Sequence, residues 1–256
     1  MLRATLLGLA LAASVTLPAL AHFQELLPSA DVLPEGGTVS LDLVFTHPMD
    51  RGPQMQMERP VRFGMVMDGR TVDLSASLIE SLDGGKSAWR AFADLKTPGA
   101  AVFFVEPKPY WEAAEGKYIV HYAKVVVDSF ASGEGWDAMV GLPVEIRPLT
   151  RPTGLWTGNL FTGVVTRNGA PLPFAEVEVE YVNDGGVTAP NDAFVTQVLK
   201  ADASGTFSYA MPRAGWWGFA ALTEAETRMK GPGGEDAPVE AGALIWVKAT
   251  DMVNVP

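Results

Sequence analysis

The sequence predicts an all-β protein built as two β-sandwich domains. Three observations point there. Helical periodicity is scarce in a chain of 256 residues that carries 26 glycines and 19 prolines. Short alternating or β-branched runs recur between turn clusters, which is the pattern of sandwich strands. The runs also fall into two series, parted by the stretch Pro148-Leu149-Thr150-Arg151-Pro152.

Taken in order, the first segment is expected to be removed. Arg3, an apolar run from Leu6 to Leu17 and the small-residue stop Ala19-Leu20-Ala21 are the three parts of an export signal. Ser14, Thr16 and Pro18 break the run, which falls short of the roughly 20 apolar residues a bilayer span needs. Residues 1–21 are therefore expected to be a signal peptide, with 22–150 and 151–256 as the two domains. Cleavage after Ala21 leaves His22 as the first residue of an exported chain that does not insert in the membrane.

In the first domain, residues 38–47 read TVSLDLVFTH. A strand places alternate residues on opposite faces, so Val39, Leu41, Leu43, Phe45 and His47 share one face, the core face. Further strands are expected at 61–67, 71–78, 89–95, 101–106, 118–127 and 142–147, with breakers at Asp68-Gly69, Asp83-Gly84-Gly85 and Pro98-Gly99 between them. Within 118–127, Ile119, His121, Ala123, Val125 and Val127 share a face. Lys124 on the other side reads as the wetter face, so His121 is expected to point inward.

The second domain opens with two hairpins. Residues 161–166 and 175–182 flank Asn168-Gly169, and 195–200 and 206–211 flank the turn at 202–205. Gly163, Gly169, Pro171, Ala175, Asp202, Gly205, Phe207 and Pro212 give this half a resemblance to small prealbumin-like or carboxypeptidase-regulatory-like sandwiches. That resemblance concerns fold and not function. Residues 223–242 read as an exposed loop before a last strand at 243–248.

Composition then narrows the chemistry. Cleavage removes one arginine and no acid, so the formal charge moves from −11 to −12. Phosphate backbones and anionic lipid repel such a chain, which argues against nucleic acid and in favour of cations. With no cysteine, any metal site is limited to nitrogen, oxygen and thioether donors. No phosphate-binding loop and no serine-nucleophile motif is present, so a hydrolytic enzyme is not expected.

The histidines carry the chemistry that remains. The processed chain has three: His22, His47 and His121. A free terminal His22 offers its α-amine and imidazole Nδ1 to one ion, and an α-amine, with a pKa of roughly 7.7–8.0, gives up its proton easily. A lone inward histidine is most often a core residue held by a hydrogen bond. Here one inward histidine, His47, ends its strand before Pro48, where a sandwich opens. Three imidazoles and an amine suit nickel, copper or zinc, and a tetragonal nitrogen-rich arrangement suits Ni(II) or Cu(II). Met49, Met55, Met57, Met65 and Met67 keep Cu(I) in view; Met65 and Met67 alternate like core residues, while Met55 and Met57 read as a loop pair. Glu106, Glu112 and Glu115 are possible carboxylate donors, more simply read as solvated loop charges. The aromatic clusters Tyr110-Trp111 and Trp216-Trp217 lie in or beside turns; lining a ligand groove is one reading, and core packing is the favoured one.

Five segments together resemble a known family: HFQELLPS at 22–29, FTHPM at 45–49, PKPYWE at 107–112, IVHYAK at 119–124 and GWWGFAAL at 215–222. They are similar to the DUF4198 proteins of the periplasm, which include nickel-binding accessory components of energy-coupling-factor-type nickel uptake systems. The resemblance implies a periplasmic protein that captures Ni(II), bare or with a small chelator, and passes it to membrane nickel transporter components. Carried over by position, it implies His22, His47 and His121 as the ligands. Copper carriage is the alternative. A copper-dependent oxidative enzyme built on an N-terminal histidine, or a purely structural module, ranks lower.

Overall fold

The computed structural model describes residues 22–253. The expected signal peptide lies outside them. Strand is the dominant regular structure of the described residues, which otherwise form turns and loops with only two short 3-10 turns, Ser75–Ser77 and Asp192–Phe194. No helix among them is long and apolar enough to cross a membrane.

A first sheet contains β1 (Phe23–Pro28), β3 (Gly37–Thr46), β7 (Lys86–Leu95) and β6 (Ile79–Asp83), in that order. The expected core face of β3 is buried along Val39, Leu41, Leu43 and Phe45. Strand β1 was not foreseen, because its FQELLP has no clean alternation; all but one of its residues are buried.

A second sheet of eleven strands runs through both halves of the chain. Its path is β16 (Gln197–Lys200), β15 (Glu176–Tyr181), β18 (Gly215–Glu224), β21 (Val239–Thr250), β10 (Lys117–Ser129), β8 (Gly99–Glu106), β4 (Arg62–Met67) and β5 (Arg70–Asp73). Three short strands join it: β2 (Val32–Leu33), β9 (Tyr110–Glu112) and β12 (Leu155–Trp156). A third sheet combines β11 (Val144–Pro148), β13 (Leu160–Arg167), β14 (Ala170–Pro171) and β17 (Thr206–Ala210), and β19 (Met229–Lys230) pairs with β20 (Asp236–Ala237).

The two halves meet along a parallel ladder between β10 and β21, from Tyr118↔Val239 to Val125↔Trp246. A boundary near residue 150 therefore divides the chain but not the sheet. Strand β21 shows how the layers stack. Leu244 and Trp246 pack in the core under the first sheet, with Phe23, Leu41 and Phe103, whereas Ile245 and Val247 pack in the core under the third sheet, with Phe161, Phe207 and Phe219. Alternate residues of one strand thus feed two cores on opposite faces. Strands buried on both faces carry continuous apolar runs, as Val125-Val126-Val127 and Ala243-Leu244-Ile245-Trp246-Val247 do.

Four expectations are corrected. Lys124 is not on a wet face: it is 1% exposed, and its Nζ donates to Glu145 at 2.8 Å. Glu145 in turn accepts the N–H groups of Val140, Gly141 and Leu142 at 2.9–3.2 Å. Residues 223–242 are not all exposed loop, since β21 begins at Val239. The tryptophan pair lies within β18 rather than beside a turn, with Trp217 buried. Residues 71–78 form a strand only to Asp73 and then turn.

Candidate metal site

Antiparallel pairing brings two of the three histidines together. In the β1–β3 ladder Phe23 faces Thr46. One step beyond, that register sets His22 across from His47, and their ring centroids lie 4.6 Å apart. The turn after His47 is closed by Gly52 N–H donating to His47 O at 3.1 Å and Thr46 Oγ1 donating to Gly52 O at 3.1 Å. It is anchored to the second half of the chain by Met49 N–H donating to Glu180 Oε2 at 3.2 Å and Asn183 Nδ2 donating to Met49 O at 3.0 Å.

His22 is wedged among aromatic rings. Phe45 stacks on it at 5.6 Å, and Tyr110 stands 6.1 Å away. Glu112 Oε2 is 3.2 Å from His22 Nε2. Burial, and then the neighbouring His47, hold the His22 pKa down at about 4, so its imidazole is neutral in neutral solution. Neutral imidazole is the form that binds metal.

His121 meets the same Phe45, whose ring stands edge-on to its own at 6.0 Å. It is 1% exposed and faces Gly242 across the β10–β21 ladder. A Cβ at residue 242 would fall 2.5 Å from His121 Cδ2, so only glycine leaves room for the ring. Glu240 Oε1 lies 3.1 Å from His121 Nε2, and Glu240 Oε2 accepts from Lys117 Nζ at 2.6 Å. Burial opposes the Glu240 charge, but the bonds from His121 and Lys117 outweigh it and hold its pKa at about 2. His121 Nδ1 is buried and has no hydrogen-bond partner.

The structure thus joins His22 to His47 directly and sets His121 against Phe45, the ring that also stacks on His22. Among the described residues no group of three or more His, Asp or Glu side chains is close enough to form a ready metal-binding cluster. Of the carboxylates considered from sequence, Glu112 contacts His22. Glu115 is paired with Lys117 at 2.6 Å, and Glu106 with Arg62 at 3.4 Å. Glu240 was not foreseen, since it fell in the supposed loop. Met55 and Met57 do lie in a loop, but both are buried, and Gln24 Nε2 contacts Met57 Sδ at 3.4 Å. Beside His121 is a cavity of about 360 Å³ whose walls include Phe45, Met57, Tyr110 and Trp111.

Fold and site together define an all-β protein of stacked sheets with a histidine pair at the open end of two paired strands. The chain belongs to the family described as domain of unknown function DUF4198, whose model matches residues 19–225. No curated protein matches the chain. Solved structures similar to it include a two-domain fibronectin type-III segment from chicken tenascin, at 14% identity over 87% of this chain and 98% of that chain, with a TM-score of 0.24. Another is Escherichia coli alpha-2-macroglobulin activated by porcine elastase, at 12% identity over 89% of this chain and 20% of that chain, with a TM-score of 0.26. Superpositions this loose define neither a common topology nor a common function.

Proposed function

We propose that this is a periplasmic nickel-binding protein, which captures Ni(II) after export and supports its delivery to a membrane uptake transporter. It acts as a carrier, not an enzyme. The observation that supports this reading best is the contact of His22 with His47, at 4.6 Å between ring centroids. Such a pair at the start of an exported chain adds an α-amine to two imidazoles. His121 is the third ligand, as the resemblance to nickel-uptake accessory proteins implies.

Titration calorimetry of Ni(II) into processed protein tests the reading. One tight site is expected in the parent and a loss of at least tenfold in affinity in His47→Ala, with a similar loss in His121→Ala. Equal binding by parent and His47→Ala would reject the assignment.

A copper carrier is the second reading, favoured by Met57, whose side chain lines the same cavity as His121. Thioethers prefer Cu(I). Competition between Ni(II) and Cu(I) separates the two, because only the copper reading makes Met57→Leu weaken binding. Cu(II) is uninformative there, since it outbinds Ni(II) at most nitrogen sites.

A further inference from the structure

Two of the histidines make the same contact from different parts of the fold. His22 Nε2 lies 3.2 Å from a carboxylate oxygen of Glu112 in β9, and His121 Nε2 lies 3.1 Å from one of Glu240 in β21. The carboxylates sit on separate strands, so no single local turn produces the repetition. An ionised carboxylate can only accept a hydrogen bond. A neutral imidazole facing it must therefore carry its proton on Nε2, which leaves the lone pair on Nδ1.

At His121 the consequence is visible. Its Nδ1 is sealed from solvent with no hydrogen-bond partner, which is destabilising for a buried polar atom. Such an orphan calls for an explanation. Glu240 is itself fixed, because its second oxygen is engaged by Lys117, which also pairs with Glu115. The carboxylate is thereby held toward Nε2, and Nδ1 is the ring atom left to bind something else.

We propose that Glu112 and Glu240 are positioning residues that hold His22 and His121 in the Nε2–H tautomer, so that Nδ1 is the atom each ring offers to a divalent transition metal. The proposal rests on the metal-binding reading above and names the atoms and supports it needs. Carboxylates that take the outer proton of a metal-bound imidazole orient the ring and raise its basicity, and removing them typically weakens binding roughly 10–100-fold. For His22, this tautomer is also the one that lets Nδ1 and the α-amine close on one ion.

The test is nitrogen-15 NMR of histidine-labelled, metal-free, processed protein at neutral pH, where couplings from ring carbon-bound protons identify the protonated nitrogen. His22 and His121 should both show Nε2–H. Glu112→Ala and Glu240→Ala should mix the tautomers and weaken Ni(II) binding roughly 10–100-fold. Glu112→Gln and Glu240→Gln keep an oxygen that accepts the same proton, so they should keep the tautomer and lose less affinity. An Nδ1–H signal at either histidine of the parent, or parental affinity in folded Glu112→Ala and Glu240→Ala, would overturn the proposal. Nε2–H signals in a protein that takes up neither Ni(II) nor Cu(II) would uphold the carboxylates' control of the tautomers and remove the metal reading instead.

Discussion

At the scale of single residues, the ends of β1 and β3 gather several charges that burial has shifted. Burial, and then the nearby carboxylates of Glu180 and Asp42, raise the pKa of Glu25 to about 8. A carboxyl group whose folded pKa lies above its unfolded value of about 4.5 favours the folded state only while protonated. Its contribution is fully present below pH 4.5 and is lost as pH rises through 8. Glu25→Gln should therefore raise the melting temperature at pH 8, by an amount equivalent to a few kcal/mol, and change it little at pH 5. Thermal melts at the two pH values check this; equal shifts at both would show that the carboxyl is not held protonated. His22 works in the opposite sense: its depressed pKa adds stability above pH 6.5 that fades as pH falls through 4. His22 and His47 were legible in the sequence, one from the end of the expected export signal and the other from alternation along residues 38–47. Glu240 was not, because it meets His121 only through a parallel pairing of strands more than a hundred residues apart.

At the scale of elements, the β10–β21 ladder decides how His121 sits. Gly242 faces it, and a methyl there would press on the ring, at 2.5 Å from Cδ2 and 2.9 Å from Nε2. Gly242→Ala should destabilise the fold by about 1–3 kcal/mol, the usual cost of overpacking. It should also displace the ring from Glu240 and weaken Ni(II) binding. Denaturant melts and calorimetry on the same variant measure both effects; normal stability with normal binding would mean that the ladder does not constrain the histidine. Most strands were legible here, since β3, β7, β8 and β13 alternate or carry β-branched runs between clear breakers. Strands β1 and β18 were not. The first mixes polar and apolar residues, nearly all of them buried, and the second has its tryptophans next to glycines that suggested a turn.

At the scale of the whole molecule, the shared sheet makes two sequence halves into one packed object. Lys124 shows the consequence, because the face expected to be wet is covered by the segment that Glu145 ties down. No local pattern could reveal that cover. Lys124→Met would leave the Glu145 charge buried without its cation, at a cost of about 3–5 kcal/mol. Since both cores lean on β21, unfolding should remain a single transition in the parent, with tryptophan fluorescence and far-ultraviolet circular dichroism coincident in urea. Two separated transitions would mean that the halves fold independently. If cleavage after Ala21 frees His22, its α-amine becomes part of the proposed site. Ni(II) calorimetry should compare protein beginning at His22 with the same protein carrying one alanine ahead of it. Tight binding by the first and its loss in the second is the predicted result, and equal affinity in the two would contradict the proposal that export completes the site.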